Sequence, residues 1–420
     1  MASSGTTRPA SSINDVAPLG AKTLQTSGST FSVQLLDVGG VPEFGADVLA
    51  VAASVTVVNP TQRGFLGAYA SGSSSDSSVV NFLANQNVPN LTILRPGADG
   101  MVTIRLTGAA PGTAHVLIDV FGWWSTSTYA ATGTVDDGDE RGARLMTPLV
   151  PGRILDTRPG VGIEADSYRT VRILGADTID AVPVINIVPD DSNVVGVLIN
   201  VTSLTPSTQT YLSVVPGPIR LGDPKPTTSN LNMLPGQTKA NLVLVPVGED
   251  GNIQIYNSAG SSDLLIDVMG YMVKGEPENT RKGRVVPLTS PFRVFDTRNA
   301  AFGAVPLGPG QAEDWSFASF AASVNVGGVS VGNQSALLGN LTNASLTRQY
   351  PTVAVNTSYL TVYPSPAASP PNYSNVNTVE GIVPIPNMTL VPYGPNYAVR
   401  VFQARGYAHY ILDVFAVVLA

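Results

Sequence analysis

The chain has 420 residues, 43% of them hydrophobic and 13% charged, with a net charge of -7, two histidines and no cysteine. That composition excludes a disulfide framework, a thiolate nucleophile and cysteine-bound metal, and it leaves no basic field to hold nucleic acid or an anionic membrane. At about 150 residues per domain the length suits two or three packed domains, and the 41 glycines and 33 prolines stay below the roughly 25–30% of low-complexity chains.

In chain order, residues 1–20 read as a polar arm, rich in Ser, Thr, Gly and Pro and without the basic start and apolar core of a secretory leader. A strand-rich unit then occurs three times. Its clearest marker is an aliphatic strand carrying an aspartate: His115-Val-Leu-Ile-Asp119-Val-Phe-Gly122, Asp263-Leu-Leu-Ile-Asp267-Val-Met-Gly270 and His409-Tyr-Ile-Leu-Asp413-Val-Phe-Ala416. The aspartates are 148 and 146 residues apart, and Phe65, Tyr211 and Tyr359 keep the same period. A period this long marks a whole folding unit, since solenoid repeats run to roughly 20–50 residues. The predicted division is β domain 1 at 21–127, a linker at 128–144, β domain 2 at 145–274, a linker at 275–284 and β domain 3 at 285–420.

The second and third units open with Arg153-Ile-Leu-Asp156-Thr-Arg158 and Arg293-Val-Phe-Asp296-Thr-Arg298; the first has no such opening strand. Within unit two, β-branched runs at 197–204, 211–215, 230–234, 241–247, 252–256 and 264–272 alternate with turn-forming stretches such as Gly248-Glu-Asp-Gly251. No window sustains a 3.6-residue apolar period. The expected fold is therefore all-β, three tandem antiparallel domains, each a β-sandwich or barrel-like.

Taken together, the Arg153 to Gly160 segment, the Asn200-Val-Thr202 strand, Thr228 to Asn232, Gly236 to Leu242 and Leu265 to Tyr271 resemble a β-rich repeat module common in secreted cell-surface proteins of actinobacteria and in proteins of their phages. The resemblance covers unit two closely, unit three in part and the second half of unit one. It implies extracellular or virion placement and no reaction. Host-encoded members carry a leader, whereas a virion protein needs none, which tilts the expectation toward a phage.

An aspartate inside an aliphatic strand needs a partner. Asp119, Asp267 and Asp413 are therefore read as members of a structural network with Arg153, Asp156, Arg158, Arg293, Asp296 and Arg298, Asp267 contacting Arg153 or Arg158 and Arg105 substituting beside Asp119. His115 and His409 lie four residues before their aspartates, on one face of a strand, but no third metal ligand stands nearby. Asp136 to Glu140 lacks the spacing of a calcium loop and reads as solvated linker.

Asparagines recur in pairs at 81 and 90, 232 and 241, and 377 and 387. They bridge strand-end backbone groups or meet sugar hydroxyls, and bridging is favoured, with Asn232 and Asn241 as the candidate binding pair. Trp123 and Trp124 form an interdomain contact or a sugar-stacking platform. Eight Asn-x-Ser/Thr sequences, among them Asn200, Asn340 and Asn387, are ascribed to strand composition. The apolar end, Phe415 to Ala420, needs cover from its own domain or a second subunit.

No catalytic residue, cofactor or metal is expected. The chain reads as a non-enzymatic structural protein of a bacteriophage virion, a capsid decoration, head fibre or tail component. Its expected partners are other virion proteins and further copies of itself, a trimer being common among such appendages, with a host-surface glycan as a further candidate. A bacterial cell-surface adhesin or glycan-binding protein is the alternative.

Overall fold

The computed structural model describes residues 24–37, 41, 48–125, 143–158, 160–220, 222–226, 228–275, 281–326, 329–347, 357–379 and 384–420. The polar arm, the acidic run at 136–140, most of the first expected linker and half of the second lie outside the described residues. The fold is almost all β, with 57% strand and 4% helix.

The first repeat contributes β1 (Gln25–Thr26), β2 (Thr30–Gln34), β3 (Val48–Val58), β4 (Gly64–Ala70), β5 (Val80–Phe82), β6 (Val88–Leu94), β7 (Met101–Gly108) and β8 (Thr113–Ser125). The second contributes β9 (Ala143–Asp156), β10 (Ser167–Arg172), β11 (Val194–Leu204), β12 (Thr210–Pro216), β13 (Leu231–Met233), β14 (Thr238–Pro246), β15 (Asn252–Asn257) and β16 (Asp263–Gly275). The third contributes β17 (Val285–Asp296), β18 (Gln311–Ser316), a short helix α1 (Ala318–Ser323), the small hairpin β19 (Asn325–Val326) and β20 (Val329–Ser330), then β21 (Gln334–Thr347), β22 (Thr357–Pro364), β23 (Val376–Val379), β24 (Ile385–Pro392), β25 (Ala398–Gln403) and β26 (Tyr407–Leu419). Among the described residues no helix is long and apolar enough to cross a membrane.

Each repeat sorts into two antiparallel four-stranded sheets of matching order: β1-β8-β3-β6 with β2-β7-β4-β5, β9-β16-β11-β14 with β10-β15-β12-β13, and β17-β26-β21-β24 with β18-β25-β22-β23. Local chemistry sets the hairpins. At Gly251, with φ +76°, an Asp-Gly turn joins β14 to β15, and the Asp250 carboxylate accepts the Asn252 backbone N–H at 3.0 Å. Gly100 and Asp99 repeat this between β6 and β7, where Asp99 accepts from Met101 at 3.0 Å. Both glycines supply the positive φ that a side chain resists.

The six sheets stand in a propeller-like ring, which corrects the expectation of three tandem domains. The reason lies in which faces are apolar. Along β11, Val197, Ile199 and Val201 point into a core enclosed by the second repeat's own two sheets, with Leu212, Leu231, Ile253 and Ile255 opposite. The alternate residue Leu198 joins Leu242 and Met269 in a different core, which holds the first repeat's interior and also Leu338, Met388, Leu390 and Phe415 of the third. One face of the β9-β16-β11-β14 sheet is thus buried inside its repeat and the other against its neighbours. A strand buried on both faces loses the apolar-polar alternation of a half-exposed one, so the repeats share a centre that separate lobes would expose to water.

Two further segments are placed by the fold. Residues 281–284 are pinned between repeats: Gly283 accepts from the Met146 N–H at 2.7 Å and donates to the Leu419 carbonyl at 2.9 Å. The apolar C-terminal strand is covered by the chain itself, Phe415, Ala416 and Val418 facing the shared centre and Val417 and Leu419 the third repeat's core.

Candidate functional site

The repeated aspartates lie on the sheet faces turned toward neighbouring repeats. Strand register places Asp267 directly between Arg153 on β9 and Asn200 on β11, and Asp413 between Arg293 on β17 and Asn340 on β21. Residues opposite one another in a ladder share a face. Arg153 donates from Nε to Asp267 Oδ1 at 2.8 Å and from Nη2 to Oδ2 at 3.2 Å, and Arg293 binds Asp413 the same way at 2.8 and 3.0 Å. These are forked guanidinium-carboxylate pairs. Asp267 is fully enclosed, at 0% exposure, and burial pushes its carboxyl up to about 6 despite the opposing pull of Arg153.

The rest of the Arg-x-x-Asp-Thr-Arg element locks its own turn. Arg158 binds Asp156, and Arg298 binds Asp296 at 2.8 and 2.7 Å. Each aspartate also accepts the backbone N–H of that arginine, at 3.0 and 3.1 Å. The hydrogen bond from the guanidinium is the main reason both carboxyls sit below the ordinary carboxylate range. Between them, Thr157 donates to Asp263 at 3.0 Å and accepts from the Leu264 N–H at 2.8 Å. Thr297 likewise meets His409 Nδ1 at 3.3 Å and accepts from the Tyr410 N–H at 2.9 Å. Arg153, and not Arg158, is the hydrogen-bonding partner of Asp267.

In the first repeat Ser54 faces Asp119 across the ladder. Arg105 does not stand in there: its guanidinium donates to the Ser75 carbonyl at 3.0 Å and lies 3.6 Å from Asp76. The cause is topological, because β7 belongs to one sheet of the repeat and β8 to the other. Nδ1 of His115 is buried without a hydrogen-bond partner, and among the described residues no group of three His, Asp or Glu side chains could hold a metal.

The asparagines carry the contacts between repeats. Asn90, Asn241 and Asn387 each donate to a carbonyl of their own repeat, that of Val79 at 2.7 Å, Asn230 at 2.6 Å and Asn375 at 2.7 Å. Asn387 Oδ1 also accepts the Leu242 N–H at 3.0 Å, and Asn90 Oδ1 the Met388 N–H at 3.3 Å, so the side chains reach into the next repeat. A second asparagine completes each of these junctions: Asn200 with Asn387 at 3.0 Å and the Ser374 carbonyl at 2.7 Å, Asn340 with Asn90 at 3.1 Å and the Ser78 carbonyl at 2.9 Å. Asn200, Asn340 and Asn387 are buried, so none is an acceptor for a glycan in the folded chain.

The junction of the first and second repeats is built differently. Ser54 occupies the register of Asn200 and Asn340, and its hydroxyl is buried without a partner. A cleft of about 370 Å³ opens between these two repeats, lined from the first by Gln86, Asn87 and Val88 and from the second by Gln209, Thr210, Tyr211, Asn232, Met233, Leu234, Gln237, Lys239 and Ser258. Lys239 stands two residues before Asn241, where the other repeats have Val88 and Ile385. Its side chain is partly exposed on the cleft wall, and the protein packed around it pushes its pKa down to about 8.

Of the candidate binding residues, Asn232 lines this cleft, its amide donating to Ser229 at 2.9 Å, whereas Asn241 is committed to Asn230. Trp124 is half-buried against the shared core and Trp123, next to it on β8, is 42% exposed; neither lines the cleft. Lys239 and the glutamines were not singled out by sequence motif. The available signal was the repeat itself, since alignment on Asn90, Asn241 and Asn387 leaves one lysine at an otherwise aliphatic position.

No protein-family model matches the chain, and no curated protein does. Among solved structures, a triple jelly roll protein of the turret assembly of an archaeal virus overlaps 94% of this chain and 90% of its own at 10% identity, with a TM-score of 0.19. A structure from Sulfolobus turreted icosahedral virus gives 94%, 91%, 10% and 0.18. The tandem CBM22-1-CBM22-2 domains of Paenibacillus barcinonensis Xyn10C give 63%, 96%, 11% and 0.17. At these scores the overlaps carry no argument about fold or function.

Proposed function

We propose that the chain is a non-enzymatic structural protein of a bacteriophage virion, a capsid decoration, head fibre or tail component, presenting three repeats of paired sheets closed into one ring. The observation that carries this reading is the asparagine network: repeated polar side chains are spent on closing three copies of a unit around a centre, with equivalent bonds at two junctions. The recurrent aspartates and arginines are engaged in the same way, which leaves the protein to act by shape and contact. A body with three nearly equal sides suits a three-fold position on a larger assembly, where each side meets the same neighbour. The resemblance of the second repeat to modules in phage and cell-surface proteins points the same way.

Electron cryo-microscopy of particles from the source, with peptide mass fingerprinting of the purified virions, tests the proposal. The chain is expected at regular lattice positions or along the tail, in stoichiometric amounts. Its absence from purified virions and recovery from the bacterial cell surface would overturn the virion reading in favour of an adhesin. The polar cleft at the first junction is the specific observation favouring that second reading.

A further inference from the structure

We propose that the cleft between the first and second repeats binds an acidic saccharide, its ring hydroxyls held by amide side chains and its anionic group by Lys239. The proposal does not depend on where the protein resides. It starts from a broken pattern: two junctions are sealed by paired asparagines, and the third has a serine, an open cleft and a lysine in place of an aliphatic residue.

Lys239 is partly buried on the cleft wall with no carboxylate among the lining residues, so part of its hydration is lost and no partner in the protein replaces it. No ion pair or hydrogen bond engages the Lys239 ammonium among the described residues, and desolvation alone shifts its pKa. The amides around it are oriented as donors. Asn87 Oδ1 accepts the Asn59 N–H at 2.9 Å and Gln237 Oε1 accepts the Leu234 N–H at 3.1 Å, so the free ends of both side chains are N–H groups. The side-chain amides of Gln86 and Gln209 make no hydrogen bond among the described residues and add two whole amides to the lining. Tyr211 supplies an aromatic surface and is the other titratable group of the lining. Several donors, one cation and no anion select a negatively charged ligand, and amide groups that both donate and accept match vicinal hydroxyls. The volume lies near the lower end of the roughly 300–1,000 Å³ of ligand pockets, enough for a mono- or disaccharide.

The test is titration of the full chain with glucuronic acid, glucose 6-phosphate, glucose and inorganic phosphate, followed by calorimetry and by amide NMR shifts. Saturable binding of either acidic sugar, with glucose at least about ten-fold weaker, is the expected result, a charge-assisted hydrogen bond being worth that much. The stronger of the two acids identifies the anionic group as carboxylate or phosphate. Lys239→Val restores the aliphatic residue of the other repeats, so it is expected to fold with an unchanged melting profile and to lose the acidic sugar by ten-fold or more; Lys239→Arg is expected to retain it. Affinity for the acid should fall as pH rises through about 8, where the ammonium deprotonates. No saturation by either acidic sugar, inorganic phosphate binding as tightly as the acidic sugars, or undiminished binding by Lys239→Val would each overturn the proposal.

Discussion

Replacing Arg153 by methionine tests the buried pair at the heart of the second repeat. Arg153 is 5% exposed and Asp267 0%, so the substitution strands a carboxylate that water cannot reach. Breaking such a pair from one side costs about 3–5 kcal/mol. The loss must depend on pH. Asp267 titrates near 6 when folded, against about 3.9 unfolded, so the folded state holds the proton more tightly. Its favourable contribution is therefore complete below about pH 4 and is lost as pH rises through 6, a difference of about 3 kcal/mol. Removing Arg153 raises the folded value further and widens that window. Urea denaturation at pH 5 and pH 8 should thus show the full penalty at pH 8 and a smaller one at pH 5, where Asp267 becomes neutral. Arg158→Met is the control, expected to cost under about 1 kcal/mol because its guanidinium is half in solvent. A loss below about 1 kcal/mol for Arg153→Met at pH 8, or one equal at both pH values, would refute the reasoning.

Other outcomes follow from the same contacts. Asn387→Ala orphans the Leu242 N–H and the Asn375 carbonyl at the centre of the ring; at about 1–3 kcal/mol for each buried unpaired group, the melting temperature should drop well beyond that of Asn232→Ala, and equal drops would argue against the network. Gly270→Ala should be destabilising by about 1–3 kcal/mol, since a Cβ there meets Leu390 Cδ2 of the third repeat at 2.7 Å and the Thr147 carbonyl at 2.8 Å; crystallography of the variant would show whether the repeats separate. Asp156 and Asp296, held below the ordinary range, stabilise above about pH 4 and lose that contribution as pH falls through their folded values. Asp296→Asn should flatten the acid limb of a melting profile, and an unchanged limb would count against the turn lock. Residues 143–275 made alone would expose Leu198, Leu242 and Met269; aggregation or self-association in light scattering is expected, whereas a stable monomer would mean that the shared core is dispensable.

Much of this was legible in one dimension. The 148- and 146-residue spacing of the aspartates and the short β-branched runs between Gly, Asp and Pro marked repeated antiparallel strands. The strands at 197–204, 211–215 and 252–256 fall within β11, β12 and β15. These features are local: turn chemistry and side-chain period are properties of neighbouring residues. The need of Asp267 for an arginine was also readable, because an aliphatic strand offers a carboxylate nothing else.

What the chain order concealed was which faces of the sheets meet. Leu198 and Ile199 look alike as letters, yet one enters the core common to the repeats and the other its own. Likewise Asn200 and Asn387 are 187 residues apart and meet only because the ring closes. The expectation of lobes in a row failed for this reason, as did that of Arg105 beside Asp119, since adjacency in sequence does not say that β7 and β8 lie in different sheets. The lysine at 239 gains its meaning the same way: a single cation in a strand is ordinary, and it becomes a site only where a neighbouring repeat walls a cleft around it with amides and supplies no opposite charge.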